Sequence, residues 1–175
     1  MEIYTCDIET PLGTVTATAQ NGALSGLWFN GLKFPQEQIF SWNYAPDYIV
    51  LKQLRAWLTD YFSGLNRPHN LRLAPQGTEF QKGVWNILLK IPFGQVTSYG
   101  KIARVIVNSR GLSVLSSQAV GGAVGHNPIS ILIPCHRVIG ANRKLIGYGG
   151  GLEKKEALLR VEGINLATVK FYQFH

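Results

Sequence analysis

Between Asn66 and Gly77 this 175-residue chain loses its hydrophobic periodicity, in a segment, NRPHNLRLAPQG, rich in Pro, Asn, Arg and Gly. Before it lie short alternating runs and one stretch at helical spacing, and after it a further helical stretch begins near Thr78. A loss of period in such a segment marks the best candidate boundary between two units, residues 1–74 and 75–175.

The first unit reads as an antiparallel meander. IYTCDIET leads through a Pro11-Leu12-Gly13 turn into TVTATAQ, and an Asn21-Gly22 turn leads into ALSGLWF. From Tyr48 to Phe62, Leu51, Leu54, Leu58 and Tyr61 recur at steps of three and four, and Ser63-Gly64 stops the pattern. This helix is expected to bury its face on the small sheet.

The second unit is read as mostly helical. Thr78 with Gln81 forms a capping-box signature ahead of Phe80, Val84, Leu88 and Ile91, and Pro92-Phe93-Gly94 ends that helix. Ser98 caps a second helix, which the Asn108–Gly111 cluster is expected to break. A third runs through Gln118–Val124, and a last, Leu152–Glu162, is closed by Gly163. The second and third suggest a helix-turn-helix with a long connection. The fold class is therefore α+β, a small amino-terminal antiparallel sheet with a helix followed by a mostly helical, winged-helix-like domain.

Hydrophobic residues make up 46% of the chain, which fits a folded core, and no apolar run approaches the roughly 18 residues of a membrane span. MEIYTCDIET carries acidic residues where a secretory leader is basic and then apolar, so the cytoplasm is the expected compartment. There the two cysteines, Cys6 and Cys135, stay reduced. The net charge of +7 is scattered rather than blocked, and favours an anionic partner only weakly.

Cys135 sits in IPCHRVIG beside His136. The four histidines, His69, His126, His136 and His175, offer no metal-ligand spacing with the cysteines, so no metal is expected. GYGGG, residues 147–151, reads as a glycine-rich turn, because no βαβ unit supports a phosphate loop. An isolated cysteine is most often inert core filling. Pro134 and His136 raise the alternative of an activated nucleophile, although adjacent residues on a strand point apart and a turn or a bridging water is then required.

IPCHRV, Asn127-Pro128, GTEFQKGVW, IPFGQVTSYG, QAVGGA, GYGGGL and LLRVEG, spread over residues 75–165, together resemble the methylated-DNA–protein-cysteine methyltransferases, which repair alkylated DNA. The amino-terminal unit resembles the family more loosely, where that unit is ribonuclease-H-like. The resemblance implies irreversible transfer of an alkyl group from O6-alkylguanine to Cys135, once per molecule. Attack on a saturated carbon suits a thiolate, and a thiol needs a base to form one at neutral pH. His136 matches the family's base, acting through a water, Glu162 its orienting carboxylate, and Asn127 the brace under the nucleophile.

Tyr99, Tyr148, Gly149 and Val138 match substrate-binding positions, with Tyr99 the donor to the leaving guanine. Ser98, Arg110, Gln118, Ala119, Gly121, Gly122 and Arg137 fall among those facing DNA. The implied partner is double-stranded DNA carrying O6-alkylguanine, entered from the minor groove by a monomer with the damaged nucleotide flipped out. No cofactor is implied, because the acceptor is the protein itself. Two departures stand out: Gln118 occupies the place of an arginine that fills the vacated stack, and VNSRGLSVLSS is longer than the usual connection. Either Gln118 or Arg110 could fill the vacancy. The rival functions are a non-catalytic lesion-binding module of the same fold and a cysteine hydrolase.

Overall fold

The computed structural model describes residues 2–31 and 41–175, and these fall into two compact units. One comprises residues up to Gln76 together with Pro128–Ser130; the other comprises Gly77–Asn127 and Ile131–His175.

In the first unit, β1 (Tyr4–Ile8), β2 (Val15–Gln20) and β3 (Ala23–Phe29) form the expected antiparallel meander, and β4 (Asn43–Tyr44) adds in parallel to β1, giving the order β3-β2-β1-β4. The Asn21-Gly22 turn has both residues at positive φ, 51° and 71°, which is why this dipeptide can close so tight a hairpin. Val15, Ala17 and Ala19 alternate into the core, and α1 (Ile49–Phe62) covers them with Leu51, Leu54, Leu58 and Tyr61. The outer edge of β3 is paired, not bare. Leu24 exchanges backbone bonds with Arg72 and Ala74, and Leu27 with Pro128 and Ser130, so amide groups that would invite a foreign strand are satisfied.

The second unit carries the helices. α2 (Glu79–Leu88) opens with the full reciprocal capping box of Thr78 and Gln81, a device worth about 1 kcal/mol. α3 (Tyr99–Arg110) is capped by the Ser98 hydroxyl on the Lys101 amide. It continues through Asn108 and Ser109 and ends only at Gly111, at φ 63°, because glycine takes the left-handed stop that asparagine and serine do not impose here. Ser116 caps α4 (Ser117–Gly125), and the buried Trp85 indole donates to the Ala123 carbonyl at 2.9 Å, tying α4 to α2. α5 (Leu152–Val161) ends at Glu162, with Gly163 at φ 71°.

A two-stranded parallel sheet, which sequence patterning does not reveal, joins β5 (Thr97–Ser98) to β6 (Val138–Ile139). Thr97 pairs with Val138 and Ser98 with Ile139, which sets the start of α3 beside the residues that follow Cys135. Val96, Ile139, Leu159 and Ile164 form a buried cluster beneath it. Among the described residues, no helix is long and apolar enough to cross a membrane.

Candidate active site

Cys135 opens a single 3-10 turn, Cys135–Arg137, rather than lying on a strand. The turn resolves the objection that adjacent strand residues diverge. Pro134 precedes it at φ −82°, and amide bonds from Cys135 to the Ile133 carbonyl and from Arg137 to the Pro134 carbonyl hold it closed. Upstream, buried Ile131 sits at φ 70°, a conformation that β-branched residues rarely adopt. Backbone strain of this kind persists where the surroundings fix the chain.

The Asn127 amide spans the approach. Its Nδ2 donates to the Ile133 carbonyl at 2.8 Å and to Cys135 Sγ at 3.1 Å. A hydrogen bond to sulfur favours the thiolate. Burial acts the other way and prevails: it pushes the Cys135 thiol up, while the Asn127 bond and the charge of Lys155 pull it down. The resting group is thus a buried thiol, 7% exposed, that needs a base.

A candidate base is adjacent. His136 is fully buried, and its Nε2 lies 2.6 Å from Glu162 Oε1. Burial raises the Glu162 carboxyl, but His136 and Arg137 outweigh it and hold the group at about 2. A carboxylate so far below neutrality is an acceptor only, so His136 Nε2 donates and Nδ1 carries the lone pair. Burial lowers the His136 pKa despite Glu162, which leaves the ring neutral and able to accept a proton near pH 7.

Glu162 is held from three sides. Arg137 clamps both of its oxygens, with Nε at 2.9 Å from Oε2 and Nη2 at 3.0 Å from Oε1, and the Gly94 amide donates to Oε2 at 3.1 Å. Arg137 Nη1 also bonds the Ile91 carbonyl at 2.6 Å. The guanidinium expected to face DNA is thus turned onto Glu162, and Arg137 is only slightly exposed at its side chain.

Tyr99, the first residue of α3, donates its hydroxyl to the Ile146 carbonyl at 2.9 Å. Burial raises its pKa to about 12, with Cys135 adding to the shift, so it stays a neutral donor. Gly121 of α4 faces this ring: a β-carbon there would stand 3.8 Å from it. Tyr148 places a buried hydroxyl in the glycine-rich turn, and the backbone at Gly149 is open to a side chain. Val138 lies buried in β6. Gln118, Ala119 and Gly122 are exposed on α4, whereas Arg110 lays its guanidinium over Gly83 of α2, with Nη2 2.7 Å from where a β-carbon would be.

Lys155 is a site residue that sequence reasoning misses. It is fully buried, bonding the Ile146 and Gly147 carbonyls at 2.7 and 3.0 Å. A signal for it exists: Lys155, Leu158, Leu159 and Glu162 fall at i, i+3, i+4 and i+7, one face of α5. Among the described residues, no three His, Cys, Asp or Glu side chains group as metal ligands would.

Comparison with known proteins gives a consistent result. Residues 79–164 match the family model of the 6-O-methylguanine DNA methyltransferase DNA binding domain. The crystal structure of Mycobacterium tuberculosis O6-methylguanine methyltransferase superposes with a TM-score of 0.78 at 36% identity, covering 91% of this chain and 92% of that one. The structure of Mycobacterium tuberculosis OGT in complex with DNA gives 0.77 at 37%, covering 93% and 92%. A methylated-DNA–protein-cysteine methyltransferase of Methanosarcina acetivorans is 41% identical over 161 residues, which are 92% of this chain and 99% of the relative. With that identity sustained over nearly its whole length, the chain belongs to the methylated-DNA–protein-cysteine methyltransferases.

Proposed function

We propose that Cys135 is the acceptor through which this methyltransferase repairs DNA, taking the alkyl group from O6-alkylguanine in a duplex. The observation that carries the reading is that one turn carries two bonded sets, Asn127–Cys135 and His136–Glu162–Arg137: a thiol braced by an amide, next in sequence to a neutral imidazole whose tautomer a buried carboxylate fixes. The thiol proton passes to His136 Nδ1 through a water. The thiolate then attacks the alkyl carbon, forming an S–C bond as the C–O6 bond breaks with its electrons left on guanine. Tyr99, released from the Ile146 carbonyl, donates a hydrogen bond to the leaving base, and the proton held by His136 returns to give neutral guanine. Thiol and alkylguanine become thioether and guanine, so each molecule acts once.

A target inside a stacked pair must be flipped out. α3 and α4 serve as the helix-turn-helix that enters the minor groove, with Gln118, Ala119 and Gly122 on the exposed face and Gly121 against Tyr99. The relative solved with DNA supports this partner. The protein works as a monomer in the cytoplasm, where Cys135 stays reduced. Ser98 acts by capping α3, and Arg137 by holding Glu162.

The test is an oligonucleotide duplex carrying O6-methylguanine, mixed in excess with the protein and followed by intact and peptide mass. One methyl on Cys135 and none on Cys6, with Cys135→Ser inert yet still binding the lesion, is the expected result. Repeated turnover, or methyl transfer by Cys135→Ser, overturns it.

A further inference from the structure

The residues that follow α5 return to the start of α3. Asn165 turns the chain, its carbonyl accepting the Thr168 and Val169 amides and its side chain the Ala167 amide. Leu166, Val169 and Phe171 then pack on the buried cluster of Val96, Ile139, Leu159 and Ile164. Phe171 pairs in parallel with Val96, and the Tyr172 amide donates to the Val96 carbonyl at 2.7 Å, which extends the pairing of the β5–β6 sheet to the residue just ahead of β5. On the other side of Tyr99, Lys101 Nζ donates to the Tyr172 carbonyl at 3.4 Å and lies 5.3 Å from the Phe171 ring centroid. A cation in the first turn of a helix opposes the helix dipole, and here a carbonyl and the face of an aromatic ring offset that cost. Val96 precedes Tyr99 and Lys101 follows it, so one segment grips the chain on both sides of this tyrosine.

We propose that Phe171 and Tyr172 are positioning residues for Tyr99: by holding Val96 and Lys101 they fix the start of α3, and with it the place from which the Tyr99 hydroxyl meets the leaving guanine. The proposal rests on Tyr99 as the donor to that base. The local anchors are slight, a strand of two residues and one capping bond of 3.3 Å from the Lys101 amide to Ser98. The hydroxyl's own tie, to the Ile146 carbonyl, is given up when the base is served, so it holds nothing at the moment of transfer. The contacts of Phe171 and Tyr172 persist through that exchange, because they bear on Val96 and Lys101 and not on the hydroxyl. A donor displaced by about 1 Å can cost roughly a hundredfold in rate, which is what a fixed helix start prevents.

Methyl transfer from free O6-methylguanine base uses Tyr99 but no DNA contact, and iodoacetamide alkylation of Cys135 uses neither. Both are followed by protein mass in a Cys6→Ser background. Tyr172→Pro deletes the amide that bonds Val96, whereas Tyr172→Ala keeps it. Transfer by Tyr172→Pro is expected to slow about fivefold, the worth of one such bond, with its iodoacetamide reaction within about twofold of the parent and Tyr172→Ala close to the parent in both. In a Tyr99→Phe protein, which has no hydroxyl to place, Tyr172→Pro should cost nothing further. Unchanged transfer, an equal loss in both reactions, an equal loss in Tyr172→Ala, or losses that add to that of Tyr99→Phe overturns the proposal and leaves the segment a packing element. Should Tyr172→Pro fail to melt cooperatively, Lys101→Met decides by the same two reactions: it loses the bond to the Tyr172 carbonyl, so a loss confined to transfer supports the proposal and no loss overturns it. Hydrogen exchange at the Lys101 amide reads the start of α3 with no substrate present and should quicken in Tyr172→Pro; unchanged exchange overturns the proposal. Quickened exchange, in a protein whose parent takes no methyl from an O6-methylguanine duplex, would reject the repair reading and not the hold on α3.

Discussion

His136 and Glu162 share one hydrogen bond and therefore one role, and this fixes what their substitutions do. His136→Ala removes the proton acceptor, and transfer at neutral pH is expected to slow by roughly a hundredfold or more, the usual worth of a positioned base. Glu162→Gln leaves the base but frees its tautomer, since an amide can donate to Nε2 where a carboxylate only accepts. Its loss should be smaller, and the double variant should be hardly slower than His136→Ala alone, because Glu162 reaches the sulfur only through the ring. Single-turnover rates on an O6-methylguanine duplex check this, and losses that add in log rate would show independent roles. Arg137 complicates the carboxylate alone: Glu162→Gln also leaves a guanidinium facing an amide, so its melting temperature should fall while that of His136→Ala falls less.

Among elements, α4 shows what a first turn can do without a basic side chain. Ser116 satisfies the Ala119 amide, Gln118 and Ala119 stand exposed, and Arg110, the basic candidate, is drawn back over Gly83. On the proposed reading, Gln118 is the side chain that would fill a vacated stack. A guanidinium stacks more broadly and adds attraction to phosphates, so Gln118→Arg should speed duplex repair about fivefold, the worth of about 1 kcal/mol of stacking. The reaction with free O6-alkylguanine base needs no flipping and should not change. Equal changes on both substrates would remove Gln118 from this position. The helices themselves are legible in the sequence because their signals are local: Thr78, Ser98 and Ser116 announce their starts and Gly111 and Gly163 their stops. The β5–β6 pair is not, because two residues carry no period and their partners lie some forty positions apart along the chain. Lys155 escapes for another reason: a lysine on a helix is normally solvated, and only its registry with Leu158, Leu159 and Glu162 marks it as buried.

At the scale of the molecule, charge and chemistry separate. The groups around Cys135 are buried, and the Glu162 carboxylate is paired with Arg137, so mobile ions screen them little. The net charge of +7 is scattered along the chain, and its exposed part draws the protein to a polyanion where salt competes. That excess is readable from composition but its division from the site is not, since burial of Arg137 depends on a contact far along the chain. The division predicts two salt dependences in one protein. Each phosphate contact adds about 0.9 to the slope of log affinity against log salt, so three contacts cost roughly fortyfold over a fourfold rise. Second-order repair of duplex should therefore fall by more than tenfold between about 50 and 200 mM salt. Alkyl transfer from the free base should stay within about twofold, because neither the neutral substrate nor the buried thiolate meets the screened field. A parallel fall on both substrates would place mobile ions inside the site, and with them a solvated Cys135 that the 7% exposure of this residue contradicts.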